Sequence, residues 1–142
     1  MKEERIDEKS CGAVLYQRKG NIPHYLIVQS KSGHISFSKG HTEENETEWE
    51  TACREICEET GIIRLHKKED FRECFVCRTE KGNRKEIVYF LAEFQEKTVQ
   101  LQEEELVNYW LLPIEEALKK INTEEEKEIL RKAEQVIRKK YE

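Results

Sequence analysis

Between Thr47 and Gly61 the chain carries the pattern of one capped, two-faced helix set among segments that read as strands. Thr47, with Glu50 three residues on, has the spacing of a capping box. Gly61 stands where a left-handed helix terminator belongs. At about 100° per residue, Trp49, Ala52, Cys53 and Ile56 fall on one side, and Glu55, Glu58 and Glu59 fall on another. The first side needs a core to lie on. The second collects carboxylates.

The flanking segments supply the core. "CGAVLYQR" (11–18) and "HYLIVQS" (24–30) read as strands joined by a turn at "GNIP" (20–23). "KSGHISFSKGH" (31–41), with its glycines and serines, reads as a loop. "FRECFVCRTE" (71–80) and "KEIVYFLAEF" (85–94) flank "KGN" and predict a hairpin. "ELVNYWLL" (105–112) reads as a further strand, and "PIEEALKKI" (113–121) as a short helix with Pro113 in its first turn. A longer helix follows over 123–141, opened by Thr123 with Glu126, with Ile129, Leu130, Ala133, Val136 and Ile137 as its buried face. The order predicts an α/β domain of sheet and helices in layers. Residues 1–142 read as a single domain, with 1–9 as a frayed polar tail.

A net charge of −5 argues against a general nucleic-acid binder. The N-terminal decapeptide "MKEERIDEKS" lacks the apolar centre of a signal peptide, and no run has the length of a membrane span. Five cysteines, an odd count with nothing pointing to secretion, fit a reduced, cytoplasmic protein.

Like charges spaced as Glu55, Glu58 and Glu59 are repel by about 0.2–0.5 kcal/mol per pair, so stability alone does not gather them. Hard divalent cations such as Mg²⁺ or Mn²⁺ do, and they also hold phosphate. The full spacing is more specific than the triplet. Gly40 is followed by five residues, Glu46, seven residues, then Arg54-Glu55-Ile56-Cys57-Glu58-Glu59-Thr60-Gly61-Ile62. This resembles the Nudix box, G-x5-E-x7-R-E-U-x-E-E-x-G-U, with every fixed position present, so the chain is similar to Nudix hydrolases.

That resemblance implies an α/β/α sandwich with a mixed sheet and a loop–helix–loop metal site. It implies hydrolysis of a nucleoside diphosphate linked to another group. Glu55, Glu58 and Glu59 would be metal ligands for Mg²⁺ or Mn²⁺, one of them also orienting or deprotonating the attacking water. Arg54 and Glu46 would pair and hold the helix, and the backbone at Lys39-Gly40 would help ligate metal. "SKGH", "KEIVYFLAEF" and "EEELVNYWL" further resemble segments of Nudix enzymes that cleave dinucleoside tetraphosphates asymmetrically, and the likeness runs from about residue 10 to residue 138. By that likeness Lys39, His41, Lys85 and Tyr89 are candidates to bind substrate, and Glu104, six residues ahead of Trp110, is a candidate metal ligand or base. The register of Glu104 within "EEE" leaves Glu103 and Glu105 open.

The expected activity is metal-dependent cleavage of a small nucleotide, a dinucleoside tetraphosphate split to NTP and NMP. The alternatives are a pyrophosphatase for oxidised NTPs or RNA 5′ triphosphate ends, and a nucleotide-binding module without catalysis. Ser38 and Ile35 depart from the proline and tryptophan usual in those enzymes, in the loop that shapes substrate access. Lys39, His41 and Lys85 could instead be solvated, and Tyr89 could be core. Trp49 and Trp110 read as core. Cys74-x2-Cys77 and Cys53-x3-Cys57 suggest zinc on spacing alone, but strand and helix geometry favours buried small hydrophobes.

Overall fold

The computed structural model describes residues 5–139. Its central strand is β1 (Glu8–Lys19), whose apolar run alternates between two cores. Val14 and Tyr16 enter one core, and Cys11, Ala13 and Leu15 enter the other. A strand with a side-chain period of two buries both faces only when both are covered. β2 (Ile22–Ser30) and β7 (Arg84–Phe94) divide in the same way: Tyr25, Ile27, Ile87, Tyr89 and Leu91 on one face, Leu26, Val28, Val88, Phe90 and Ala92 on the other.

β1 pairs antiparallel with β2 and parallel with β7. The remaining strands are β3 (Ile35–Ser36), β4 (Lys39–His41), β5 (Leu65–Lys67), β6 (Glu73–Arg78) and β8 (Leu106–Leu112), and together they form a mixed sheet. Helix α1 (Glu48–Thr60) brings Ala52 and Ile56 to one face of it. α2 (Ile114–Lys120) and α3 (Glu124–Lys139) bring Ala117, Ile129, Leu130, Ala133 and Ile137 to the other. The sheet is thus covered by helices on both sides.

The caps of α1 form as the sequence indicates. The Thr47 side chain accepts from the Glu50 backbone, and the Glu50 carboxylate accepts from the Thr47 backbone. Gly61 takes φ 78°, and its N–H donates to the Cys57 carbonyl. The hairpin of β6 and β7 is also present, closed by Gly82 at φ 85°.

Other expectations need correction. The segment 31–41 contains β3 and β4 rather than an unbroken loop, because β1 has an edge free to pair with Lys39–His41. That pairing brings Ser38 so close that a Cβ on Gly12 would lie 2.0 Å from the Ser38 carbonyl oxygen. The tail expected over 1–9 is already strand from Glu8, and the Asp7 N–H donates to the Arg84 carbonyl at 2.8 Å; residues 1–4 lie outside the described residues. Pro113 caps α2 from outside rather than opening its first turn. β5 was not expected. Of the paired cysteines, Cys57 and Cys74 are exposed and Cys53 and Cys77 half-buried, while the fully buried thiol is Cys11. Trp49 and Trp110 pack against the cores while half-buried.

The buried face of α3 is also different in kind. Val136 is 39% exposed, whereas Glu126 and Glu134 are buried. At about 100° per residue Val136 falls just beyond Ile129 at one edge of the arc that Ile129, Leu130, Ala133 and Ile137 span, while Glu126 falls inside that arc and Glu134 about 40° beyond its other edge. Buried carboxylates need donors. Glu134 accepts from the Tyr25 hydroxyl and pairs with Arg138 at 2.6 Å. Glu126 accepts from the Tyr89 hydroxyl and from Thr123 Oγ1 at 2.7 Å, with His34 Nε2 at 3.1 Å. Burial alone would raise the Glu126 carboxyl, but the donors on His34, Ser36, Tyr89 and Thr123 outweigh it and hold it at about 2.

These bonds settle where Tyr89 points. It is fully buried, edge-on to Phe37 at 5.0 Å, with its hydroxyl spent on Glu126. It lies on the face of β7 that α3 covers. For α3 itself, Leu130→Ala should cost about 2–5 kcal/mol in urea unfolding, while Val136→Ala should stay within about 0.5 kcal/mol. Equal losses at the two positions would contradict this packing.

Candidate active site

The last two turns of α1, the short strand β4 and the segment leading into β8 meet at one end of the sheet. β4 is drawn there by its pairing with β1, which sets Gly40 opposite Cys11. A Cβ on Gly40 would lie 2.1 Å from Glu55 Oε1, so only glycine lets this carboxylate rest against the strand. The segment before β8 is held to the end of α1 by backbone bonds: Gln100 N–H to the Thr60 carbonyl and Gln102 N–H to the Glu59 carbonyl, each 2.9 Å. The Glu105 N–H then closes back on the Gln102 carbonyl at 3.1 Å.

One carboxylate oxygen each from Glu55, Glu59 and Glu105 lies within 4.8 Å of the other two. Of the run Glu103-Glu104-Glu105, whose register the sequence left open, Glu105 is the member in this group; Glu104 stands outside it, and both are exposed. Glu58 is also outside it, with its side chain 50% exposed. Gly40 and Lys39 lie beside the cluster on β4, and Glu59 and Lys39 line a common small cavity.

Arg54 ties the helix to its approach. Its Nε meets Glu46 at 2.6 Å, and its second amine reaches Glu46 at 3.0 Å and the His41 carbonyl at 2.9 Å. Its remaining amine meets Glu55 at 2.8 Å and Glu58 at 3.4 Å. Glu46 also accepts from Thr51 Oγ1 at 2.8 Å and the Glu43 N–H at 3.0 Å, and the Arg54 bond above all holds its carboxyl at about 2. One guanidinium thus orients the loop before α1 and two of the helix carboxylates.

The carboxylate cluster is short of positive charge. Burial raises Glu55, helped by Glu58 and Glu105, against the pull of Arg54. Burial pushes Glu59 up to about 7, against the Ser38 hydroxyl and Lys39 and with the help of Glu55 and Glu105. Three convergent carboxylates with only oxygen donors and an unmet charge fit a hard divalent cation.

A cleft of about 340 Å³ opens beside this cluster. Lys39, Lys85, Arg78 and His34 line it together with Glu80, Glu125 and Glu126, and Phe75 and Cys77 add surface from β6. Lys39 and His34 also line the small cavity that Glu59 lines, so the two cavities share these residues. Lys85 is lowered by burial and then by the neighbouring Lys39 charge. His41, by contrast, turns its ring to Glu8 at 3.1 Å and does not line the cleft. Sequence reasoning missed His34, Arg78 and Phe75. Phe75 and Cys77 share a strand parity that a hairpin would have revealed, but nothing local marks His34.

The raised Glu59 has a thermodynamic consequence. Folding favours its protonated form, so that contribution is complete below about pH 4.5 and is lost as pH rises through about 7. The melting temperature of metal-free protein should therefore fall between about pH 5 and about pH 8. Glu59→Gln should flatten that fall. An equal slope in both proteins would contradict the burial argument.

Comparison with known proteins agrees with this geometry. The NUDIX domain family model matches residues 8–133. The bis(5'-nucleosyl)-tetraphosphatase [asymmetrical] of Mus musculus is 30% identical over 142 residues, spanning 91% of this chain and 95% of its own. The Caenorhabditis elegans protein of the same name is 32% identical over 129 residues, spanning 87% of this chain and 92% of its own. A crystal structure of a C. elegans Ap4A hydrolase binary complex superposes with a TM-score of 0.86 at 30% identity, over 92% of this chain and 97% of that one. With a family model covering almost the whole chain, and the box carboxylates Glu55 and Glu59 gathered on one helix, the chain belongs to the Nudix family and is a Nudix hydrolase.

Proposed function

We propose that this enzyme hydrolyses dinucleoside tetraphosphates, diadenosine tetraphosphate among them, asymmetrically to NTP and NMP. The observation that carries the reading is the joined geometry of carboxylates and cations. Glu55, Glu59 and Glu105 converge, and Lys39 stands between them and a cleft that also presents Lys85 and Arg78. Such a site holds a polyphosphate at one end and leaves room for a nucleoside at the other. The activity for which the mouse and nematode relatives are named, matched over nearly their whole length, supports the choice of substrate.

Glu55, Glu59 and Glu105 are the residues to hold Mg²⁺ or Mn²⁺, with backbone help from Lys39-Gly40. An ion held there supplies positive charge against the polyphosphate and eases deprotonation of water. Arg54 orients Glu55 and Glu58 while Glu46 fixes Arg54. Glu58, half-exposed at the edge of the cluster, takes the proton from the attacking water. Water adds to one phosphorus, the bridging P–O bond breaks, and the leaving oxygen departs on the NTP or NMP product. Lys39 and Lys85 steady the phosphate chain through the change. His41 and Tyr89 have no part in this, since the first faces Glu8 and the second is buried.

No helix among the described residues is long and apolar enough to cross a membrane. All five cysteines are free thiols, which supports a reducing, cytoplasmic setting.

Incubation with Mg²⁺ and a panel of diadenosine tetraphosphate, ATP, 8-oxo-dGTP, ADP-ribose and triphosphorylated RNA should give fastest turnover on the tetraphosphate, with ATP and AMP as products by ion-exchange chromatography. Two ADP molecules, or a faster substrate, would overturn this choice. Glu58→Gln should lower turnover by about 10²- to 10⁴-fold. Glu105→Gln should weaken divalent-ion binding by about tenfold or more, and Glu104→Gln should leave it near wild type. The reverse order at 104 and 105 would sink the assignment of Glu105.

A further inference from the structure

Ser38 departs from the proline usual at this point of the resemblance, and it is buried at 1% exposure. Its hydroxyl donates to Glu59 Oε1 at 2.6 Å. Among the described residues no other side chain bonds the Glu59 carboxylate; its backbone carbonyl is taken by the Gln102 N–H. Proline at position 38 would offer no hydroxyl, so the bond is a property of this chain.

The donor itself is firmly placed. Ser38 immediately precedes β4, and its carbonyl accepts from the Ala13 N–H at 3.3 Å. Only the absence of a Cβ on Gly12 lets the central strand come that close. The hydroxyl thus reaches Glu59 from the sheet, while Arg54 reaches Glu55 from the helix side. The two carboxylates are oriented by different donors on different elements.

The geometry points to Ser38 as a positioning residue that fixes the Glu59 carboxylate for a divalent cation. The hydroxyl bond on Oε1 fixes the plane of the carboxylate, so Glu59 is presented in one orientation before the ion arrives. A carboxylate held in advance loses less rotamer freedom on binding. Partners of this kind behind a metal ligand change affinity substantially when removed. The inference rests on the reading of Glu59 as a metal ligand, and the experiment separates the two.

Mn²⁺ binding is measured by calorimetry and by loss of the free-ion electron-spin resonance signal, without nucleotide, on wild type, Ser38→Ala, Ser38→Pro and Glu59→Gln. Ser38→Ala should raise the Mn²⁺ dissociation constant about tenfold. Ser38→Pro should match it, since neither has the hydroxyl. At saturating Mn²⁺, KM for nucleotide should stay at the wild-type value in Ser38→Ala, as expected of a change confined to ion binding. If Glu59→Gln weakens Mn²⁺ binding while Ser38→Ala shifts it by less than about threefold, or tightens it, the role of Ser38 is overturned and the metal site stands. If Glu59→Gln leaves Mn²⁺ binding unchanged, the metal-ligand reading falls and the role of Ser38 falls with it.

Discussion

Carboxylates crowded on the last turns of a helix repel one another and resist burial. Arg54 is the charge that lets them stand together in this protein. Its guanidinium spans Glu46, Glu55, Glu58 and the His41 carbonyl, so one planar fork joins the loop ahead of α1 to two successive turns of it. A lysine, with a single ammonium, offers no such fork. The compensation is partial. Burial still raises Glu55 and takes Glu59 to about 7, so the fold holds a charge deficit that a divalent ion meets. The same imbalance is a burden for stability and a resource for binding.

The opposite face of the sheet solves its polar problem internally. Glu126 and Glu134 enter an apolar helix face, and each is met there by a buried tyrosine hydroxyl from the sheet. These bonds pin α3 against β2 and β7 in one orientation. Glu126 also lines the cleft, next to His34 and Lys85. Its donors are all supplied by protein, so it forms a finished wall, whereas the Glu55, Glu59 and Glu105 group is unfinished. Burial does not make this distinction, since Glu126 is more buried than Glu59.

Much of this was legible in the chain. The capping box, the glycine terminator and the two faces of α1 are local, decided by residues within one helix, and they form as read. The helical intervals set Glu55, Glu58 and Glu59 on one side of α1, and the resemblance to the Nudix box added Arg54 and, ahead of the helix, Glu46. Where the reading failed, a partner distant in sequence decided. The strand character of Lys39–His41 comes from its pairing with β1. Of the two places the sequence left open for Tyr89, the structure shows the core, with its hydroxyl on Glu126, 37 residues away. His41 turns outward because Glu8 is beside it. Val136 missed the core by a small angle, in a helix whose buried arc is centred partly on glutamates that no hydrophobic pattern would include.

The sequence by itself determined the family, the layered α/β class and the helix that carries the acidic site, because each rests on short-range spacing. Only the tertiary structure decided which of three adjacent glutamates stands beside Glu55 and Glu59. The run Glu103-Glu104-Glu105 carries no internal signal of register. Backbone bonds from Gln100 and Gln102 to the end of α1 set that register, and they bring Glu105 to Glu55 and Glu59. In an extended or turning segment a shift of one residue redirects the side chain, and a contact between distant elements is what fixes the shift.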